Sequence, residues 1–532
     1  MNESGASSAL PPCPSPANPI FWRKAFSFPV FLGALLVAAT FLAMRGNLDA
    51  VRSAESASSS QFFLEGDLWW HIATGKQILA THTWPTSDTF SFTAAGTEWL
   101  AYEWLGDVIV AAVDRAGGLG ALAALFLMLQ AAIVLLIYVY AYLRCHNVRA
   151  AFVAAAVLLP LAMRATLRPQ QFGYIYLLMT LICLERFRQG RTRAIWALPV
   201  VFALWVNTHG SFVLGLVALA VYAACGLVEG QWGGIKALRW TNRERENLEV
   251  VSLVSVLALT LTPYGTRLTF YPFWLALSQR LLLEAITEWR PFVWSQWFGI
   301  VLLLLLLGFL MAQIFMKPAH RLEDIVLLLL AVYATAAHAR FLLFLVPVFA
   351  PLLATVLAGR LPAHRGDGER HVLNAALMLG IAAGILVFMP SSRELQSAIA
   401  HRLPQGAVLY MRAHTVPAPM FNDHDWGGYL IESLGPEQKV FIDGRNDIYE
   451  YSGVFADYLR ITAPSPQAML LLKRYNVQSC LLQRDSALAG LLGTQLDWES
   501  VYSDTLSVLY VRARGGPYRL HCDRGRLYSA FW

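Results

Sequence analysis

The chain has unusually little charge for its length. Asp, Glu, Lys and Arg make up 14% of its 532 residues, and hydrophobic residues make up 57%, whereas about 25% of a typical soluble domain is charged. These few charges could not cover the surface of a soluble protein of this size. We therefore expect much of the surface to face lipid instead of water. The net charge is only +6, and no basic block is interleaved with aromatics. We therefore expect a lipid bilayer and no nucleic acid as partner.

Paired cysteines are also lacking. The six cysteines lie at positions 13, 145, 183, 225, 480 and 522, and none forms a CxxC pair, which argues against a zinc ribbon or a redox motif. Cys480 and Cys522 fall in the part of the chain that we predict to be water-soluble. They could pair if they meet in space, and two unpaired residues are an equally good interpretation.

What the chain does have is long apolar runs. Spanning a bilayer takes about 20 apolar residues, and about eleven runs qualify as helices: 26–44, 119–143, 148–163, 171–187, 194–208, 211–228, 249–263, 297–316, 322–337, 341–358 and 372–390. The preceding Ser-, Pro- and Ala-rich residues, 1–25, predict a disordered cytoplasmic N-terminus. We interpret the first run as an uncleaved helix; the alternative is a signal peptide cleaved near Ala54.

The distribution of basic residues predicts the orientation. With a cytoplasmic N-terminus, seventeen Lys and Arg residues fall in short inside segments and ten in longer outside segments, as the positive-inside rule requires. The odd number of helices then places residues 391–532 outside the cell membrane. We thus predict an α-helical polytopic membrane domain over 26–390, with a long first outer loop, 45–118, followed by an extracytoplasmic α/β domain.

The first outer loop holds two segments with helical periodicity. Asp67 and His71 are four residues apart in the first segment, and Glu103 and Asp107 are four apart in the second, so each pair shares a helix face. The tryptophans in this loop are typical of the headgroup level. We predict two helices in the outer interface with their acidic groups turned inward. Asp67 could instead serve only as a helix N-cap, and Asp107 could be merely solvated.

The other outer turns are short and polar. Ionisable residues at membrane boundaries are functional candidates by default, and carboxylates, histidines and arginines together suit an anionic phosphate substrate. The alternatives are arginines that snorkel to lipid headgroups and histidines that only hydrogen-bond helix ends. The candidates are Arg164, Arg168, His209, Glu288, Arg290, His338 and Arg340.

Several segments resemble bacterial membrane proteins related to the GT-C glycosyltransferase superfamily. They are GDLWWHIATGKQIL and WPTSDTFSFTAAGTEWLAYEWLGDVI in the first outer loop, then LRPQQFGY, NTHGSF, ITEWRP, HARFLLFLVP and FNDHDWGGYLIESLGPEQKVFIDGRNDIY. The resemblance implies a GT-C-like fold in the bacterial inner membrane and a sugar donor attached to polyprenyl phosphate. The acidic residue that such enzymes carry in the first outer loop would be Asp67, acting as a base or as a ligand of Mg²⁺ or Mn²⁺. Glu103 would be the second acidic group. The loop has no adjacent acidic pair, which leaves metal dependence and donor type open.

The chemistry expected of these residues is sugar transfer, in which an anomeric C–O bond breaks through a cation-like transition state. Asp67, His71 and Glu103 are the catalytic candidates, with Asp67 removing the proton of the acceptor hydroxyl. The arginines of the outer turns would hold the departing lipid phosphate, and the acceptor would be a glycan, a lipid or a protein. Two other functions stay open: a transporter or flippase of lipid-linked sugars, although no internal repeat is evident, and a non-catalytic scaffold.

The C-terminal segment, 391–532, has shorter apolar runs and more Gly, Pro, Asp and Asn. KVFID, NVQSCLLQ and LSVLYVR predict strands, and AMLLLKRY and ALAGLLGT predict helices between them, which together indicate a small α/β domain. The polar clusters FNDHDWGGY and FIDGRNDIY could bind an acceptor sugar or a metal ion, or could simply be turns. Within them, Asp443 and Arg445 are the better functional candidates.

Overall fold

The computed structural model of the chain describes residues 19–53, 63–278, 287–366, 368–463 and 465–513. The possible cleavage site near Ala54, the partner cysteine Cys522 and most of the predicted disordered N-terminus lie outside these ranges. The last seven residues of that N-terminal segment, Pro19–Ala25, form a short helix, α1. The prediction of disorder up to residue 25 is therefore wrong for this stretch.

A helix occupies each of the predicted membrane runs. The first part of the chain forms α2 (Phe28–Arg52), α3 (Gly66–Thr81), α4 (Trp104–Cys145), α5 (Val148–Ala162), α6 (Gln170–Arg188), α7 (Leu198–Thr208), α8 (Phe212–Cys225), α9 (Asn242–Ala258) and α10 (Thr266–Ser278). The second part forms α11 (Trp297–Met316), α12 (Leu322–Ala337), α13 (Leu342–Ala358) and α14 (His371–Val387). Short 3₁₀ turns lie at Ala194–Ala197, Thr287–Trp289 and Ala339–Phe341.

Several of these helices are long and apolar enough to cross a membrane alone. Among the described residues these are Trp22–Arg52, Trp104–Cys145, Trp297–Met316 and Ala339–Ala358, with His371–Val387 as a fifth if it is joined to the bent helix after it. Three shorter apolar helices lie at Val148–Ala162, Ala194–Thr208 and Phe212–Cys225. A multi-pass membrane protein is thus supported, while the count of about eleven crossings and the orientation stay predictions.

Two glycines separate the second interfacial helix of the outer loop from the membrane run that follows it. Gly117 and Gly118 interrupt α4, and Gly118 has φ 57° and ψ −145°, a conformation open essentially only to glycine. The segment before this break, which carries Asp107, therefore changes direction relative to the segment after it. α3 and α4 pack closely on each other, and this packing places the acidic residues of the two loop segments side by side.

Buried ion pairs join three helices at the end of the bundle that we predict to be cytoplasmic. Arg144 of α4 lies 2.6 Å from Asp324 and Arg188 of α6 lies 2.9 Å from Glu323, both at the start of α12. Arg321 pairs with Glu185 of α6 at 2.7 Å. Each acid is at most 5% exposed, so these arginines are neutralised by partners and do not form a free basic surface. A small sheet lies beside them, with strands β1 (Gly230–Trp232), β2 (Ile235–Ala237) and β3 (His320–Arg321).

The C-terminal region, from residue 391 to 513, combines helices with a mixed sheet. Its helices are α15 (Ser392–Ala400), α16 (Gln405–Ala413), α17 (Gly427–Leu434), α18 (Asn446–Tyr451), α19 (Val454–Thr462), α20 (Pro466–Arg474) and α21 (Ala487–Leu492). Its strands are β4 (Met420–Asn422), β5 (Ser479–Gln483), β6 (Trp498–Ser503) and β7 (Ser507–Arg512), in the order β4-β5-β7-β6. Pairing is parallel between β4 and β5 and antiparallel elsewhere.

One predicted strand of this region is used differently. KVFID is not a strand of the sheet: Val440 forms an isolated parallel bridge with Ser91 of the first outer loop. The N–H of Val440 donates to the carbonyl of Phe90 at 3.2 Å, and the N–H of Phe92 donates back to Val440 at 3.1 Å. The prediction of a strand there is wrong because the outer loop, which is distant in sequence, takes up these backbone groups. This pairing attaches the C-terminal region to the membrane domain.

Candidate functional site

Asp67 lies in the first turn of α3, after the N-cap Glu65. A carboxylate there is favoured by the helix dipole, but the N-cap position belongs to Glu65, which makes no side-chain cap hydrogen bond. Instead Asp67 Oδ2 lies 2.9 Å from Nη2 of Arg168, which comes from the turn before α6. The capping alternative therefore does not describe this side chain, whose partner lies on another element.

Arg168 gathers three carboxylates. Besides Asp67, its guanidinium pairs with Glu65 and lies 3.6 Å from Glu288. The positive charge of Arg168 lowers the pKa of Glu288. Burial raises the pKa of Glu65 to about 7, although the charge of Arg168 acts to lower it. Thr166 further fixes Glu65 with a hydrogen bond of 2.5 Å. A cation surrounded by acids from separate turns is an organised polar site.

A second set of ionisable groups is more deeply buried. His71 of α3 is 2% exposed, and its Nδ1 lies 2.6 Å from Oδ1 of Asp107. On its other side, Nε2 lies 3.6 Å from Oε2 of Glu103, and Glu103 Oε1 lies 3.3 Å from Nε2 of His209. Burial raises the pKa of Glu103 to about 8, although Arg168 and Arg340 act to lower it. These charges electrostatically join the buried set to the Arg168 cluster.

The remaining predicted residues divide into near and distant ones. Arg340 lies with its guanidinium 4.1 Å from the centre of the Trp289 ring, and its charge acts on Glu103 and Glu288. His338 is placed by a 2.6 Å contact of Nδ1 with the carbonyl of Trp289, and the carbonyl of Arg290 accepts from the N–H of Ala339. Both therefore support the turn that carries Arg340.

Arg164 is not brought to the carboxylates. Its guanidinium stacks 3.8 Å from the centre of the Phe298 ring at the start of α11. Arg164 was a candidate only because it lies in a polar outer turn. That turn, between α5 and α6, is not helical, so Arg164 and Arg168 do not share a helix face, and a packing role explains Arg164 better.

Two polar loops of the C-terminal region cover Asp67. A Cβ added to Gly444 would overlap the Asp67 carboxylate, and one added to Gly66 would overlap the backbone carbonyl of Asp425. Gly428 likewise lies against the Gly66 carbonyl. Glycines at these positions permit backbone contact that any side chain would block. The C-terminal region thus forms one wall of the site.

His424, in one of these loops, is held as a cation. Its Nδ1 lies 3.0 Å from Asp425 Oδ1 and its Nε2 lies 2.7 Å from Asn446 Oδ1. The amide of Asn446 is oriented by its own donation to the Gly444 carbonyl at 3.0 Å, so both ring nitrogens face acceptors and both carry protons. Burial alone would lower the pKa of His424, but the Asp425 and Asn446 hydrogen bonds and the Asp67 charge raise it to about 9.

Asp443 and Arg445, our preferred candidates in this region, lie inside the protein. Both are 0% exposed, and they pair at 2.7 Å. Arg445 also pairs with Asp88 of the outer loop at 2.7 Å. Their position indicates a structural role. Sequence reasoning missed Glu65, His424 and Asn446, although HDW and GRND lay in motifs that we had marked as polar turns.

No set of three or more His, Cys, Asp or Glu side chains within the described ranges is arranged to hold a metal ion. The Asp67 carboxylate is paired with the guanidinium of Arg168. A metal cation beside Asp67 would be repelled by this positive charge unless Arg168 moved away. The Mg²⁺ or Mn²⁺ ion that the sequence left open stays a prediction.

Comparison with known proteins shows a likeness in structure and none in sequence. No family model and no curated protein matches the chain. The archaeal oligosaccharyltransferase AglB from Archaeoglobus fulgidus, solved with an inhibitory peptide and a dolichol-phosphate, superposes with a TM-score of 0.54 at 13% identity, covering 94% of this chain and 76% of that one. The Archaeoglobus fulgidus oligosaccharyltransferase tethered to an acceptor peptide with the NVT sequon gives 0.51 at 12% identity, covering 92% and 75%.

A third solved structure, ArnT from Cupriavidus metallidurans bound to undecaprenyl phosphate, gives a TM-score of 0.47 at 16% identity, covering 91% of this chain and 98% of that one. The two oligosaccharyltransferase structures, at their low identity, establish the fold. The predicted resemblance to the GT-C glycosyltransferases is thereby confirmed as a likeness of fold, and it extends over nearly the whole chain.

Proposed function

We propose that this protein is a membrane glycosyltransferase. It moves a sugar from a polyprenyl-phosphate-linked donor to an envelope glycan, lipid or protein acceptor at the outer leaflet of the bacterial inner membrane. The observation that carries the proposal is the pairing of Asp67 with Arg168, at 2.9 Å, inside a cluster to which Glu288, Glu103 and Arg340 also contribute. Separate turns supply these residues, so their meeting is a property of the tertiary structure.

The cluster matches the demands of sugar transfer. The leaving group is a lipid phosphate, whose growing negative charge needs fixed cations. Arg168 and Arg340 supply these, and carboxylates beside them can orient and deprotonate an acceptor hydroxyl. The half-buried aromatic residues Trp289 and Tyr102 near the cluster are suited to pack against sugar rings or a lipid chain.

Two structural comparisons support the substrate class. AglB was solved with a dolichol-phosphate and a peptide, and the second oligosaccharyltransferase with an acceptor peptide. A chain with their fold and with arginines at the predicted outer face is suited to a lipid phosphate of the same chemistry.

The observed charge distribution favours an enzyme over a transporter. The ionisable residues at the two ends of the bundle differ in kind. At the predicted cytoplasmic end, three arginines and three acids are paired one to one and buried. At the other end Asp67 and Arg168 are each about a quarter exposed. A transporter typically binds its substrate near the bilayer midplane, whereas this cluster lies at one predicted end of the bundle.

The test is a deletion strain analysed by mass spectrometry of envelope glycans and of lipid-linked sugars. We expect the deletion to lack one sugar modification and to accumulate its unused polyprenyl-linked donor. Wild type should restore the modification, and Asp67→Asn and Arg168→Ala, at equal membrane abundance, should not. The control is Glu98→Gln, which alters an exposed acid of the same loop and should restore it fully.

Two results would contradict the proposal. Full restoration by both Asp67→Asn and Arg168→Ala would remove the site from the reaction. Accumulation of the sugar lipid confined to the cytoplasmic leaflet of the deletion strain would instead identify the flippase alternative.

A further inference from the structure

A buried row of four ionisable side chains runs from the interior to the site. Asp107 is 0% exposed, His71 2%, Glu103 8% and His209 9%. Each is next to the following one: 2.6 Å between Asp107 and His71, 3.6 Å between His71 and Glu103, and 3.3 Å between Glu103 and His209. Burying four such groups is costly unless they are paired or hydrogen-bonded, so the row needs an explanation.

The hydrogen bonds define where the protons lie. The backbone N–H of Ser211 donates to Nδ1 of His209 at 3.0 Å, so Nδ1 carries the lone pair and the proton of neutral His209 sits on Nε2. That Nε2 lies 3.3 Å from Oε1 of Glu103. His209 therefore presents its proton to one oxygen of Glu103 and leaves the other oxygen, Oε2, to other partners.

His71 lies beside the other oxygen. Its Nδ1 is 2.6 Å from Oδ1 of Asp107, and its Nε2 lies 3.6 Å from Oε2 of Glu103, slightly beyond hydrogen-bond distance. Burial and the charge of Arg168 lower the pKa of His71 well below its ordinary value. The ring is therefore a neutral neighbour of Glu103 that is held in place by Asp107.

We infer that Glu103, rather than Asp67, takes the proton of the acceptor hydroxyl, and that His209 and His71 position its two oxygens. The inference rests on the proposed function. In the step, the acceptor O–H bond breaks and its proton goes to ionised Glu103. The oxygen lone pair forms the bond to the anomeric carbon, and the bond from that carbon to the phosphate oxygen breaks, its electron pair staying on the lipid phosphate. The proton stays on Glu103 until the products leave.

Asp67 is less suited to this role. Its carboxylate is paired with Arg168 at 2.9 Å, so the oxygen that would take the proton is already engaged by a guanidinium. The same pairing gives Asp67 a different role, that of fixing the guanidinium that binds the departing phosphate. Asp67 is then a positioning residue, and Glu103 a catalytic one.

The surroundings of Glu103 set its proton affinity. The charged and titratable groups acting on it come from every element around it: His71 and Asp67 of α3, Tyr102 and Asp107 beside it in sequence, Arg168, His209, Arg340 and Asp447. Burial outweighs the arginines and raises the pKa of Glu103 to about 8. A base is most effective when its pKa is near the working pH.

The test measures kcat/KM against pH, from 6 to 9.5, with purified protein, an acceptor, and the sugar lipid that accumulates in the deletion strain. Wild-type activity should rise with pH and level off above about 8, as Glu103 ionises. Glu103→Gln should lose about 10²–10⁴-fold together with the rising limb. Asp107→Asn should lower kcat by less than Glu103→Gln does, with KM unchanged, because Asp107 acts on Glu103 only by positioning His71. Glu98→Gln should match wild type.

The outcomes separate the two proposals. Wild-type protein with no transfer activity overturns the proposed function itself. Wild-type transfer with a rising limb that persists in Glu103→Gln overturns only the role of Glu103 as the base. If Glu103→Gln does not fold, Glu103→Asp replaces it: the shorter side chain withdraws the carboxylate from the acceptor, so the limb should remain while kcat falls. Unchanged kcat in Glu103→Asp also overturns that role.

Discussion

Arg445 of the C-terminal region and Asp88 of the first outer loop form a completely buried ion pair with 2.7 Å between Nη1 and Oδ1. Asp443 binds the same guanidinium at 2.7 Å and accepts from Tyr449 at 2.5 Å. The Phe90 and Trp99 rings lie 5.0 and 4.7 Å from the guanidinium carbon. This cluster joins two parts of the chain that are far apart in sequence, directly behind the loop that covers Asp67.

Breaking that pair should be costly. Asp88→Ala leaves the buried guanidinium of Arg445 with only one of its two carboxylate partners, Asp443. Removing one partner of a buried ion pair costs about 3–5 kcal/mol. We expect a clearly lower thermal midpoint in detergent. The control, Asp49→Ala, removes a carboxylate that is 56% exposed and pairs with Arg45 and Arg52, at a cost of about 1 kcal/mol or less. Equal midpoints for the two variants would contradict the structural role.

Gly444 should be intolerant of a side chain. Because an added Cβ would overlap the Asp67 carboxylate, Gly444→Ala must displace either Asp67 or the loop. We expect transfer activity to fall by at least about tenfold while the protein still folds. Gly490→Ala, in α21, has open space around it and is the matched control. Full activity of Gly444→Ala would show that the loop does not rest on Asp67 during turnover.

Arg168 should not be replaceable by lysine. Its guanidinium contacts Glu65, Asp67 and Glu288 at once, and an ammonium group cannot reproduce this forked geometry. For Arg168→Lys we expect a higher KM for the lipid donor and a lower kcat, measured by initial rates. Arg164→Lys is the control, since Arg164 stacks on Phe298 away from the carboxylates, and it should retain near-normal kinetics.

Stability should fall as the pH rises. The folded protein holds the pKa of His424 at about 9, above its ordinary value near 6.5, and the pKa of Glu103 at about 8. A raised pKa means that the folded state binds the proton more tightly, so this contribution is complete below the ordinary pKa and is lost as the pH rises from the ordinary to the folded value. Wild type should therefore lose thermal stability as the pH rises to about 9, and the difference in thermal midpoint between wild type and His424→Asn should shrink between about pH 6.5 and 9. A constant difference would mean that the His424 ring is not protonated.

The predicted orientation can be tested by cysteine labelling. Leu496 is fully exposed in the C-terminal region, and Gln231 is exposed in the hairpin between α8 and α9. In a background without the six native cysteines, a membrane-impermeant maleimide added to spheroplasts should label Leu496→Cys and not Gln231→Cys until the membrane is opened. The reverse pattern would invert the topology and put the site in the cytoplasm.

Periodicity and composition were sufficient for the membrane helices and for strands β5 and β7, but not for β4, β6 or the helices α15 to α19. The apolar runs correspond to helices because a helix in lipid must satisfy its own backbone hydrogen bonds, and β5 and β7 follow from runs of apolar residues between turns. The strand predicted at KVFID was wrong. A strand prediction reads local pattern only, and the partner of Val440 is Ser91, which no local pattern specifies.

By itself, the sequence determined which segments are apolar enough for lipid, where the membrane helices lie and which fold family the motifs resemble. It also determined which charged residues lie near one predicted face. Hydrophobic burial and backbone hydrogen bonding are local in their demands, so sequence patterns express them. Only the tertiary structure decided that Asp67 pairs with Arg168 and that Arg164 stacks on Phe298 instead. It also decided that His424 lies at the site while Asp443 and Arg445 are buried elsewhere. The row of contacts from Asp107 to His71 and Glu103 is likewise a tertiary feature. Such contacts depend on distances of a few ångströms between distant parts of the chain, which follow from how helices and loops pack rather than from the order of residues.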